Sequence, residues 1–314
     1  MMSVRKLWKV RYMNYSIYKL QFNTGVHFGT GVLSESEYTF RADQLFSALY
    51  IEALKQGSEK ELYEAVCSGN LLFSDLFPYK GTQYMLPKPM LYVESADREK
   101  SEQKKAYKNM KFIPVEALDE FLCGRIDVEN NAMSDYGHYV QHTMACVRTG
   151  DETLPFRVGT YYYNSGCGLY IIVGYKSEAE MILAEDLLES LSYTGIGGKK
   201  SAGFGKFEVK IAGGTDKLLK MLQRDTGRSM LLSTALPKNG ELEAALDGAT
   251  YLLERRSGFV ASDRYADEWR KKRDLYVFAS GSCFVNRFNG DVIDVSDGGR
   301  HSVYRYAKPV FIGI

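Results

Sequence analysis

The first clear hydrophobic pattern is "YSIYKLQFNT", where Tyr18, Leu20 and Phe22 alternate with Lys19 and Gln21. A period of two predicts a strand with one buried face. After the loop "GVHFGTGVLSES" the period changes. Leu45, Phe46, Leu49, Ala53 and Leu54 recur at helical spacing in "RADQLFSALYIEALKQG", with Asp43 placed to cap the helix and Gly57 to stop it. "SEKELYEAVCSG" begins a second helix with Ser58 and Glu61 in capping-box spacing. "LLFSDLF" reads as a strand.

From Glu94 to Lys111 charges of both signs predominate, which predicts a mobile surface loop. "PVEALDEFLCG" is a short helix opened by Pro114 and stopped by Gly124, and the stretch from Arg125 to Gly159 has few regular signals. "GLYIIVGY" predicts a fully buried strand. "SEAEMILAEDLLESLS" predicts a helix with a capping box at Ser177 and Glu180 and a stripe of Met181, Ala184, Leu188 and Leu191. A glycine-rich loop follows, then the strand "FEVKI". The order strand, helix, strand, strand, helix, strand, with insertions, matches a split βαβ, ferredoxin-like fold. Beyond "AGGTDKLLKMLQRDTGR" a second α+β unit is expected. Its strands are "SMLLSTALP", "ATYLLERRSGFV", "DLYVFASGSCFV" and "SVYRYAKPVFIGI", and "GELEAALDG" is a short helix.

At 314 residues the chain exceeds the usual reach of one core, so two domains are expected, at 1–212 and 213–314. Net charge is only +1, so any nucleic-acid surface must be local. Five cysteines without a CxxC pair argue against a disulfide framework or a cysteine zinc site. No apolar run spans a bilayer and no signal peptide is evident, which predicts a cytoplasmic protein with reduced thiols.

The densest chemical signal lies at 195–205, with five glycines and two lysines. A P-loop is excluded, because Gly205-Lys206 is followed by Phe207 and Lys200 stands where the first glycine belongs. The order of elements also opposes a cofactor phosphate. Here a helix runs into the loop, so the negative end of its dipole points there. Two readings remain: a plain connector, or a flexible cationic loop that admits RNA or DNA backbone. His27 is either structural or functional, as a general acid–base group or a phosphate contact. His138 and His142 lack the Glu of HExxH and a third ligand, so no metal is expected. "RKKR" at Arg270–Arg273 reads as a solvated face, with contact to RNA or to an acidic partner as the alternative.

"GVHFGTGVLSESEYTFRADQLFSALYIEAL", "LPKPML", "KFIPVEALDEFLCG", "GLYIIVGY", "GIGGKKSAGFGKFEV" and "ASGSCF" resemble, in this order, the fourth-subunit family of the Csm (type III-A) CRISPR effector complexes, within the RAMP superfamily. The resemblance implies two ferredoxin-like domains and a non-catalytic subunit without cofactor. Such a subunit holds the repeat-derived 5′ handle of the guide RNA (crRNA). It caps the backbone RAMP filament and contacts the large polymerase-nuclease subunit. By the same resemblance, Gly195, Gly197, Gly198, Lys199, Lys200, Ser201, Gly203, Phe204 and Gly205 would cradle RNA. His27, Gly29, Gly31, Arg41 and Lys88 would line the same surface. The insertion at about 125–167 would be a β-hairpin thumb with Arg148 as its basic contact. Backbone subunits of such complexes cleave target RNA with an aspartate near this position; here Asp43 is better explained as a cap. Two alternatives stay open: a repeat-processing endoribonuclease using His27, and an adaptor that touches only protein.

Overall fold

Every position but the last of Cys167–Tyr175 is buried, because both faces of this strand are covered. A computed structural model describes residues 13–94, 105, 107–127, 133–146, 154–260, 262 and 264–314. In chain order the first part contains β1 (Asn14–Phe22), α1 (Ala42–Gln56), α2 (Glu59–Cys67), β2 (Leu71–Phe73), β3 (Phe77–Lys80), β4 (Gln83–Pro87) and β5 (Phe112–Pro114). The short helix α3 (Leu118–Leu122), β6 (Gly137–Cys146), β7 (Leu154–Tyr163), β8 (Cys167–Tyr175), α4 (Glu178–Thr194) and β9 (Phe207–Ile211) follow.

These strands, apart from β6 and β7, form one antiparallel sheet in the order β5-β4-β3-β8-β1-β9, with β2 pairing the far end of β8. Alternation along β8 sends Leu169, Ile171 and Val173 into one core and Tyr170 and Ile172 into another. The first core lies under α1 and α4, where Leu45, Phe46 and Leu49 are fully or almost fully buried. Each such side chain contributes about 1.5–3 kcal/mol by leaving water.

The second core is built from both parts of the chain. Ile17, Tyr170 and Ile172 meet Leu218, Met221 and Leu222 of α5 (Asp216–Gln223), together with Met230 and Ile312. The later part is smaller in its elements: β10 (Ser229–Leu231), α6 (Leu242–Leu246), β11 (Leu253–Arg256), β12 (Leu275–Phe278), β13 (Cys283–Phe284), β14 (Asp291–Asp294), β15 (Tyr304–Ala307) and β16 (Phe311–Gly313). Among the described residues they pair as one three-stranded sheet, β13-β10-β16, and two hairpins, β11-β12 and β14-β15. A single four-stranded sheet of the ferredoxin type is not among them.

Several local expectations change. "LLFSDLF" holds two strands, because Ser74 and Asp75 turn inward and bond elsewhere. Asp43 is not the cap of α1: Arg41 occupies that position, and the free Ala42 N–H donates to Asp75 Oδ1 at 2.8 Å. Leu54 is 55% exposed instead of buried. The Ser58–Glu61 box does not form, and the Ser58 hydroxyl has no partner. The Ser177 box does form, its N–H donating to Glu180 at 2.8 Å. Of the charged stretch, 95–104 lie outside the described residues, whereas 107–109 are helical. The sequence-poor region after Gly124 contains the long hairpin β6-β7, paired from Gly137–Tyr163 to Cys146–Leu154.

Candidate nucleic-acid interface

The glycine loop is held against the protein. Gly195 N–H donates to Leu191 O at 2.7 Å, continuing α4 into the loop. Ile196 N–H then donates to Gly205 O (3.0 Å), and Gly205 N–H to Gly25 O (2.9 Å), so the loop closes on itself and onto the segment after β1. A Cβ on Gly205 would sit 2.0 Å from Ile196 O, and its φ is +80°. Gly197 and Gly198 pack on His27: a Cβ on Gly198 would lie 2.7 Å from the imidazole. The close approach that these glycines permit is therefore to the protein's own backbone. Gly203, also at positive φ, faces open space. Lys199 spans toward the hairpin, its ammonium 4.8 Å from the Phe156 ring centroid. Ser201 is exposed, and Lys200 lies half-buried in a single 3-10 turn.

His27 is buried and clasped on two sides. Its Nδ1 lies 2.6 Å from Gly159 O on β7 and, facing a carbonyl, must donate the proton. Its own carbonyl accepts from Gly198 N–H at 2.8 Å. The hairpin also packs on the glycine loop. Phe204, itself buried, packs against His142 with ring centroids 5.5 Å apart and planes tilted by 40°, and His142 Nε2 is 3.2 Å from the Tyr162 hydroxyl. Loop, His27 segment and hairpin thus form one packed unit. Arg148 lies outside the described residues.

Beyond His27 the same segment enters a cleft. Phe28, Gly29 and Thr30 form one lip of a cavity of about 970 Å³. Gly31 is exposed beside it, and nothing lies within 4 Å of where its Cβ would be. Arg41, Lys88, Lys108 and Lys111 line the cleft from the earlier part of the chain, and Arg255 and Arg256 from the later part. Against these six cations the described lining includes two carboxylates, Glu37 and Glu254. The "ASGSCF" segment closes the far side, where Met90 N–H donates to Gly281 O at 2.8 Å.

The cations divide by what holds them. Arg41 is committed to the seam, 3.3 Å from Asp75 and 2.5 Å from Glu254. Burial alone would lower its pKa, but Asp75, Glu254 and Asp43 outweigh that and hold it above its ordinary value. Glu254 is shifted upward, chiefly by burial. Lys88 donates to Tyr107 O and lies over that ring at 4.5 Å, and burial lowers its pKa. Asp43 receives Arg256 at 2.9 and 3.0 Å and Arg305 at 2.5 Å, so it ties α1 to β11 and β15.

Of the residues expected at an RNA surface, the structure gathers Gly29, Arg41 and Lys88 in the cleft. It gathers His27 with the glycine loop in the packed unit next to it. Lys108, Lys111 and Arg255 line the cleft as well and are not among those residues. The first two lie in the stretch read as a loop, although the apolar Met110 and Phe112 interleaved with them were a signal of a packed edge.

Residues 224–314 match the family model for the CRISPR Csm4 C-terminal domain. The protein from Mycobacterium tuberculosis named "CRISPR system Cms protein Csm4" is 39% identical, over 96% of this chain and 98% of its own. The one from Streptococcus thermophilus is 35% identical over 95% and 98%. In fold, the chain is similar to a solved structure titled as a Csm3–Csm4 subcomplex in the type III-A CRISPR-Cas interference complex. That match has a TM-score of 0.66 at 18% identity and covers 95% of this chain and 98% of the other. It is also similar to a Csm1–Csm4 cassette in complex with cA4, with a TM-score of 0.60 at 17% identity, covering 96% and 98%. With near-complete coverage at 39% identity, this chain belongs to the Csm4 family of the type III-A CRISPR Csm complexes.

Proposed function

We propose that this chain holds the repeat-derived 5′ handle of the crRNA in an antiviral type III-A complex, as a non-catalytic subunit. The observation that carries the reading is the continuity of the His27–Thr30 segment. On one side it seats the glycine loop, and on the other it forms the lip of a cleft with six cationic side chains. RNA backbone would follow that segment, with Lys199 and Lys200 at one end and Lys108 and Lys111 at the other. The β6-β7 hairpin would act as the thumb, wedging between guide nucleotides. The sheet order β9-β1-β8-(β2, β3) supports a ferredoxin-like reading of the first part, as fourth, first, third and second strands of a split βαβ. In this reading the chain caps the filament of backbone subunits and meets the large subunit. The relatives solved with Csm3 and with Csm1 support both contacts.

A non-catalytic role is supported by the two residues that could have done chemistry. Asp43 is 3% exposed, with both oxygens occupied by arginines. His27 is buried and spends Nδ1 on a main-chain carbonyl. Sequencing the RNA that co-purifies with the assembled complex tests the reading. A guide with an intact 5′ handle supports it, a repeat nicked in a His27-dependent manner supports the endoribonuclease, and absence of RNA supports the protein-only adaptor.

A further inference from the structure

The two ring nitrogens of His27 are placed differently. Nδ1 is committed to Gly159 O, and that carbonyl is itself held in position. The Gly159 N–H donates to Leu33 O at 3.0 Å, and a Cβ on Gly159 would sit 2.4 Å from Ser34 O. A carbonyl only accepts, so Nδ1 carries the proton and the neutral ring has its lone pair on Nε2. Among the described residues Nε2 has no hydrogen-bond partner, and it is not sealed from solvent as the unpartnered Ser58 hydroxyl is.

Nε2 faces a gap between two glycines. A Cβ on Gly29 would lie 3.6 Å from Nε2, and one on Gly198 would lie at the same distance. Gly29 is exposed and lines the cleft, whereas Gly198 belongs to the loop. The backbone of Gly29 is not in the left-handed region, so its conformation does not require a glycine. Its missing side chain instead leaves the approach to Nε2 open from the cleft.

A lone pair at this point selects among the groups that RNA offers. Phosphate oxygens are acceptors and would be repelled by it. The donors are the ribose 2′-hydroxyl and the N–H groups of base edges. The path proposed above carries phosphates from Lys199 and Lys200 past Gly29 to Lys108 and Lys111, and between successive phosphates lies a sugar. We propose that His27 Nε2 accepts a hydrogen bond from one ribose 2′-hydroxyl of the handle, so that His27 is where this surface tells RNA from DNA. The inference rests on the handle reading and adds to it a requirement on the sugar.

The test uses complexes reconstituted on synthetic guides in which each handle nucleotide in turn carries 2′-deoxy or 2′-fluoro. The fluoro sugar keeps the pucker of RNA but cannot donate. At one position both changes should weaken wild-type binding about fivefold, as expected for one neutral hydrogen bond. His27→Asn keeps an N–H within reach of Gly159 O and puts no acceptor where Nε2 stands. In that variant the two modifications should cost nothing further, and the salt slope should match the wild type. Gly29→Val, which covers Nε2 and leaves the imidazole in place, should remove the penalty too. It decides the matter if thermal unfolding shows the Asn variant to be destabilised. A penalty of wild-type size in both variants, or no sugar-sensitive position at all, overturns the proposal. So does a lower salt slope in the Asn variant, which would make His27 a phosphate contact. A penalty that follows base identity and ignores the sugar overturns it as well. Unmodified guides with and without the handle are compared in the same series. Equal binding of those two defeats the handle reading itself, whereas a handle requirement without a sugar effect defeats this inference alone.

Discussion

The glycine loop and the cleft beside it are built on opposite principles, although they share the His27–Thr30 segment. In the loop, four of five glycines are explained by contact with the protein's own atoms, and the backbone hydrogen bonds are spent internally. In the cleft, the backbone recedes and charged side chains from distant parts of the chain line the space. The loop is therefore a device of shape and the cleft a device of charge. RNA that touches both should respond differently to changes in each.

The largest effect should come from the seam that forms the cleft. Asp43→Ala leaves Arg256 and Arg305 without their carboxylate, and breaking a buried pair this way costs about 3–5 kcal/mol. Urea denaturation should show that loss. A change under about 1 kcal/mol would mean the network contributes little and the cleft walls are held by packing alone.

Next come the glycines. Gly205→Val must displace Ile196 O and force a positive φ on a branched residue, costing roughly 1–3 kcal/mol or more. Handle binding should fall with it, with no change in salt slope. Gly203→Ala meets open space and should cost only about 1–2 kcal/mol, from its backbone angle. Equal effects at the two positions would erase the shape argument.

The lysines should act through salt. Lys108→Ala with Lys111→Ala, or Lys199→Ala with Lys200→Ala, should each lower the salt slope of handle binding by about 1.4, at roughly 0.7 per contact on a single strand. Binding should weaken across all sequences alike. Unchanged slopes in both pairs would leave the loop a connector and the cleft unoccupied.

The elements that could be read from sequence are those with one periodic buried face. β1 alternates and α1 repeats at helical spacing, and β8 is uniformly apolar because two cores cover it. Periodicity does not reveal the hairpin, which only the resemblance implies, because in 138–146 polar residues such as His138, Gln141, His142 and Thr143 interrupt every apolar alternation and no described side chain is fully buried. Asp43 looked like a cap because its partners, Arg256 and Arg305, lie 213 and 262 residues away. The later strands are shorter than their apolar runs predict, since "SVYRYAKPVFIGI" breaks at Lys308–Val310 into β15 and β16. Within the site, loop composition was legible, but its use was not: the sequence does not reveal that Gly198 faces His27.

The smallest effect separates the two regions by pH. Burial would raise the Glu52 pKa, but hydrogen bonds from Lys55, Ser190 and Thr194, beside the loop, hold it below its ordinary 4.5. Its contribution is therefore complete above pH 4.5 and lost as pH falls through the lowered value. Glu254, in the cleft, is raised above 4.5, so stability there falls as pH rises from 4.5 through its own value. Glu52→Gln and Glu254→Gln should flatten the pH–stability curve on opposite sides of 4.5. Flattening on the same side would contradict the assignment.

The most direct test of the RNA path is photocrosslinking within the assembled complex, with 4-thiouridine placed along the 5′ handle and the attachment sites mapped by mass spectrometry. Attachments should fall within 28–31, 88–91, 108–112 and 199–204. Attachments confined to the outer face of α1, or to 258–273, would contradict it.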